Sequence, residues 1–212
     1  MTDARRQVIG PIPQGRDPQS FDRLRRRILW SLPTGLYVLG SRAGSRRNLM
    51  TISWVMQVAT EPKMVAVAVE STSVTHGLVS EGGTFALSLL PRSERHLVRR
   101  FVKPVEDVDV DEASAAGTIE GEQVRLAPGG EPVLSAAVGW LWCTVRQRVV
   151  LGSHTLFVGE VADCGLGMPT VALQPAGSGT RGVDDERDGL PADRATRLDL
   201  LRMEDTRMNY GG

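Results

Sequence analysis

A chain of 212 residues and 23.0 kDa is long enough for one domain with a sizeable core. Its 41% hydrophobic and 24% charged residues match an ordinary globular protein. The 25 basic and 25 acidic side chains cancel, so no global field draws the chain to nucleic acid or an anionic membrane, and specificity must reside in a local site.

Apolar runs such as 64–69 are far too short for a membrane span, and Arg5, Arg6, Pro11 and Pro13 stand where a secretory signal needs apolar residues. Cys143 and Cys164 lack any CxxC spacing and read as two buried thiols in a reducing compartment, so the cytoplasm is the expected location.

Residues 1–17 read as an N-terminal arm, 18–173 as the folded domain, and 174–212 as a flexible loop and C-terminal tail with a last ordered piece around Leu198 to Met203. Phe21, Leu24 and Ile28 recur at helical spacing, with Asp17 as N-cap and Pro18 at the first helical position. Arg23, Arg25, Arg26 and Arg27 fall mostly on other faces, as a solvated surface. After Pro33 the pattern becomes that of strands, at 36–40, 50–58, 64–69 and 84–90. A short helix is predicted at 73–81, ended by Gly82-Gly83, and a second at 93–102 with Leu97, Val98 and Phe101 inward. The acidic stretch 104–117 reads as a connecting loop.

Alternation is plainest at 140–150, where Trp142, Thr144, Arg146 and Arg148 share one face and Leu141, Cys143, Val145 and Val149 broadly share the other. The short link Leu151 to His154 leads into a strand at 156–161, which makes a hairpin. Many short strands, few helices and no βαβ alternation predict a closed or partly closed antiparallel barrel.

Several motifs fail on context. Gly177 to Gly182 matches GxGxxG, but no apolar helix follows to receive a pyrophosphate, so the run reads as loop. P-loop, HExxH and GxSxG patterns are absent. His76, His96 and His154 lie on separate predicted elements, and no metal site is expected.

Two places look unlike plain scaffold. Ser71, Thr72, Ser73, Thr75 and His76 follow a buried strand and open a helix, where hydroxyls and unsatisfied amides suit a phosphate; simple capping explains one of those hydroxyls equally well. His154, in the hairpin turn, can offer a proton or a cation near neutral pH, although a turn histidine is more often inert.

The order of elements resembles the flavin reductase-like, FMN-binding split-barrel family, flavoredoxin-type members included. The likeness runs from about Leu32 to Val161: PTGLYVLGS at 33–41, NLMTISW at 48–54, an apolar strand after Glu61-Pro62, the Ser/Thr cluster, FALSLL at 85–90, and GEPVL, WLWC and GSHTLFVGEV within 130–161. The chain departs from the family's usual Asp at Ser153 and usual Asn at Ser88.

The resemblance implies a mainly β, antiparallel Greek-key split barrel with a few peripheral helices. It places Asn48, Met50, Thr51, Ser53 and Trp54 along the flavin ring, and Ser71, Ser73, Thr75 and His76 toward the ribityl phosphate. Ser88 is carried over as a further cofactor-binding position, and His154, the catalytic candidate, to the ring face or the nicotinamide. Trp54 serves equally well as a core aromatic. The implied activity is hydride transfer from NADH or NADPH to FMN, or alternatively FAD, by a homodimer that could serve a flavin-dependent monooxygenase. The alternatives are a non-catalytic flavin electron carrier and a split-barrel binding module for haem, pyridoxal phosphate or another ligand.

Overall fold

The computed structural model describes residues 10–167 and 200–206. Helix α1, Pro18–Leu29, starts as expected: the extended Asp17 accepts a hydrogen bond from the Ser20 amide at 2.9 Å, and Pro18 fills the first position, where no amide is needed. Arg25 and Arg26 both reach back to Asp22. The apolar stripe is not covered by other described residues, for Leu24 and Ile28 stay exposed.

A seven-stranded antiparallel sheet dominates the domain. Its strands are β1 (Tyr37–Ala43), β2 (Arg46–Ile52), β3 (Val55–Thr60), β4 (Lys63–Glu70), β5 (Thr84–Leu89), β10 (Gly139–Leu151) and β11 (His154–Leu166), in the order β2-β1-β5-β10-β11-β4-β3. Leu39, Ile52, Val65, Val67, Phe85, Leu87, Cys143 and Phe157 share one buried cluster, with Val55 packed against it. Residues of all seven strands meet in that cluster only if the sheet curls around it. The two edge strands, β2 and β3, are consecutive in sequence and joined by Ser53-Trp54, so the barrel is split where the chain crosses from one edge to the other.

That crossing divides the strand expected at 50–58. Ser53 and Trp54 are as strand-compatible as their neighbours in composition, but the Val55 amide bonds the Ser53 carbonyl in a tight bend. Helix α2, Val74–Gly82, lies between β4 and β5, as expected, and ends at Gly83 with φ of +72°. The strands of the β10–β11 hairpin are longer than predicted and close through Gly152-Ser153. A register shift between Val145 and Gln147 moves Arg146 out of the simple alternation.

Three further expectations are corrected. The acidic stretch 104–117 is not merely a loop. It holds β6 (Val108–Asp111) and opens β7 (Ala116–Ile119), which continue with β8 (Glu122–Leu126) and β9 (Pro132–Leu134) into a four-stranded antiparallel sheet. β6 is an edge strand whose outward Asp109 and Asp111 hid its alternation, as charged edges do. The helix expected at 93–102 is a 3-10 turn at Arg92–Glu94 and a single turn α3, Leu97–Arg100. It stops because Thr51 takes its carbonyls: the Thr51 hydroxyl donates to Val98 O at 2.7 Å and the Thr51 amide to Phe101 O at 2.9 Å. Leu97, Val98 and Phe101 are nonetheless buried as predicted.

The third correction concerns the thiols. Both are free, but only Cys143 is buried, and burial pushes it up to about 12; Cys164 is exposed because β11 runs past the covered part of the sheet.

The small sheet docks on β1 and β5. Gly40 of β1 lies against the Pro132 carbonyl, so closely that a Cβ would overlap it, and the Ser88 hydroxyl accepts from the Leu134 amide at 3.0 Å. The ordered piece expected near the C-terminus is seen at 200–206. Leu201 is buried in a second core with Leu36, Leu90 and Phe101, while Leu200 and Arg202 bridge to Pro91 and Gly35. The GSGTRG run lies outside the described residues.

Candidate functional site

Strand β4 delivers the site. At its end Glu70 pairs in register with His154, the first residue of β11, and the next amide, Ser71, donates to the Ser153 carbonyl at 2.9 Å. The turn that carries His154 is thereby tied to the Ser/Thr cluster, although about 80 positions separate them in sequence. Trp54 joins from the split: its carbonyl accepts from the Ala68 amide at 3.1 Å, and its ring lies 4.7 Å from the His154 ring at 50°. Trp54 is 44% exposed, too open for a core aromatic.

Alternation on β11 sets two faces. His154, Leu156 and Val158 point one way; Thr155, Phe157 and Gly159 are buried on the other. His76, in the first turn of α2, belongs to the buried side. Its Nε2 is 2.9 Å from the Thr155 hydroxyl and its ring 5.3 Å from the Phe157 ring. The guanidinium of Arg148 lies over the same Phe157 ring at 5.8 Å.

Ser73 caps α2, accepting from the His76 amide at 3.1 Å and donating to the Glu70 carbonyl at 2.8 Å. The Val74 and Thr75 amides sit in the first turn, where a helix has no internal acceptors, and the neighbouring Ser71 and Thr72 are exposed. This donor set fits an anion, and the exposed Trp54 ring beside it fits a flat aromatic system.

The remaining predicted residues hold the site from beneath. The Asn48 amide donates to the Thr75 hydroxyl at 2.8 Å, and its carbonyl oxygen accepts from the Val105 amide at 2.9 Å, joining β2, α2 and the segment after α3. Thr75 is thus buried, although an accepting hydroxyl still has a proton to give. Met50 packs against the barrel interior, Ser53 is buried at the split, Thr51 faces α3, and Ser88 faces β9. The structure therefore gathers Trp54, Ser71, Ser73, His76 and His154 around one end of β4. Thr51 and Ser88 point elsewhere, into hydrogen bonds of their own.

Thr155 carries a contact that reading by motif did not single out, and Ser153, marked there only as a departure from the family pattern, carries another. Ser153 Oγ lies 2.9 Å from His154 Nδ1. The alternation in SHTLF was the available signal, because it separates His154 from Thr155 by face.

Residues 29–173 match the family model described as the flavin reductase like domain. The chain is 30% identical to the "NADH-dependent FAD reductase" of Streptomyces globisporus over 73% of its own length and 81% of that protein. It is 32% identical to the "NADH-dependent flavin reductase StyB" of Pseudomonas fluorescens over 66% of its length and 76% of that protein. Among solved structures it is similar to the NADH:FAD oxidoreductase of Streptomyces globisporus, with a TM-score of 0.59 and 27% identity, covering 74% of this chain and 89% of that one. The match spans the curled sheet, α2 and the β10–β11 hairpin that build the site, and the chain belongs to the flavin reductase-like domain family.

Proposed function

We propose that this chain is an NADH:flavin oxidoreductase whose flavin lies with its phosphate end at the start of α2 and its ring on the side of Trp54 and His154. The observation that carries the reading is the convergence, at one end of β4, of unsatisfied helix amides with an exposed tryptophan–histidine pair. When bound, the nicotinamide supplies a hydride and the flavin accepts it. The protein's own part is orientation and dryness. Ser71, Ser73 and the first amides of α2 hold the anionic end, with Thr75 and Asn48 fixing the helix against β2. Trp54 forms the apolar side, and His154 stands at the hydride-donor end.

Similarity to proteins named for FAD and NADH makes these the first pair to test, with FMN and NADPH second. Reduced flavin released by the enzyme would feed an acceptor such as a monooxygenase; a similar solved structure is described as the flavin reductase of a styrene monooxygenase. A homodimer accounts for the exposed apolar face. Met56, Val149 and Leu151 lie on the His154 face of the sheet, and a second copy of the chain would cover them.

A flavin titration by fluorescence, followed by NADH oxidation at 340 nm, tests the activity. Binding with flavin-dependent NADH loss is expected. Failure to bind any flavin overturns the reading, and tight binding without nicotinamide turnover replaces it with an electron carrier. Light scattering tests the dimer.

A further inference from the structure

His154 is fixed more firmly than a turn histidine needs to be. Its backbone is set by register with Glu70 and by the Ser71 amide on the Ser153 carbonyl. Its ring is met at Nδ1 by the Ser153 hydroxyl at 2.9 Å, and by the tilted Trp54 ring at 4.7 Å between centroids. Trp54 is itself anchored to β4 through Ala68. No hydrogen bond to the other ring nitrogen is found among the described residues.

We propose that Ser153 and Trp54 are positioning residues that hold the His154 imidazole from two sides and leave Nε2 as the nitrogen that meets the nicotinamide. The inference rests on the reductase reading for that last clause; the holding of the ring does not.

The chemistry of Ser153 gives this arrangement a particular consequence. A hydroxyl both donates and accepts, so it satisfies Nδ1 in either neutral tautomer. His154 can therefore present an N–H from Nε2 while uncharged. A carboxylate at the same position, which only accepts, would fix the proton on Nδ1 and make Nε2 a donor only when the ring is cationic. The charged group already facing the ring is Glu70 of β4; Leu151 on β10, Ser71 and Trp54 bring none.

Two measurements test the assignment. The first needs neither flavin nor nicotinamide, because a protonated imidazole in contact with an indole quenches its fluorescence. In the unaltered protein, tryptophan emission should fall reversibly when acid protonates the ring. His154→Asn and Trp54→Phe should each remove that step, and Ser153→Asp should move its midpoint upward, because a carboxylate beside the imidazole favours its cation. The second is kinetic. Ser153→Ala should raise KM for NADH about fivefold, the loss of one hydrogen bond, with flavin affinity kept within about twofold.

Persistence of the step in Trp54→Phe overturns the role of Trp54. An unmoved midpoint in Ser153→Asp together with an unchanged KM in Ser153→Ala overturns that of Ser153. Absence of NADH turnover in the unaltered protein overturns the reductase reading and the nicotinamide clause with it, while the fluorescence arm still decides whether the two residues hold the ring.

Discussion

His76 and His154 approach the same strand from opposite sides. His76 reaches the buried face of β11, where it meets Thr155 and Phe157; His154 starts that strand on the open face, against Trp54 and Ser153. The two residues are chemically identical, and each has one ring nitrogen hydrogen-bonded and one aromatic neighbour. What separates them is which way the pleat turns. On the inner side the imidazole locks α2 to the barrel, and on the outer side it is held out toward solvent.

The contrast can be broken most forcefully from the inside. Phe157→Ala removes a fully buried ring on which both His76 and Arg148 rest, and should cost about 3–5 kcal/mol in urea unfolding. A loss under 1 kcal/mol would mean that the inner side does not support the fold as described. The outer side should respond in activity instead. His154→Asn is expected to lower NADH turnover about 100-fold with stability unchanged to within about 0.5 kcal/mol. A large loss of stability in that variant would erase the distinction between the two histidines.

A smaller effect sharpens the inner side. Thr75→Val keeps the shape of the side chain but leaves the Asn48 amide without its buried partner, which should cost about 1–3 kcal/mol in the flavin-free protein. An unchanged melting temperature would free Thr75 for the phosphate alone. The mildest test is chemical. Folded protein should offer one fast-reacting thiol, Cys164, and release Cys143 only on unfolding, since burial holds the latter as the thiol up to about pH 12. Two fast thiols in folded protein would show that β10 does not lie where the inner core requires it.

Much of the site was legible because short-range rules wrote it. The apolar run before Ser71, the hydroxyls after it and Gly82-Gly83 beyond predict a strand, a capped helix start and a helix end, and the structure has all three. The strand alternation of the last hairpin was readable for the same reason. Other features were hidden because local pattern does not carry them. Nothing in NLMTISW says that the chain leaves one edge of a sheet at Ser53 and joins the opposite edge at Val55. The four-stranded sheet was concealed by acidic residues on an edge strand, where charge protects against pairing and makes a strand look like a loop. The single turn of α3 was equally invisible, since it is Thr51, about 50 residues earlier, that takes its carbonyls.

By itself, then, the sequence determined the strand-rich class, the capped start of α2 and the family pattern, because hydrophobic period, turn residues and caps act over a few positions. Tertiary structure alone decided that Trp54 and Ser71 lie beside the Ser153-His154 turn and that Thr51 and Ser88 turn to other partners. Curling a sheet brings its ends together through pairings some 80 residues apart, and the side to which each residue faces follows from register, which one displaced residue would reverse.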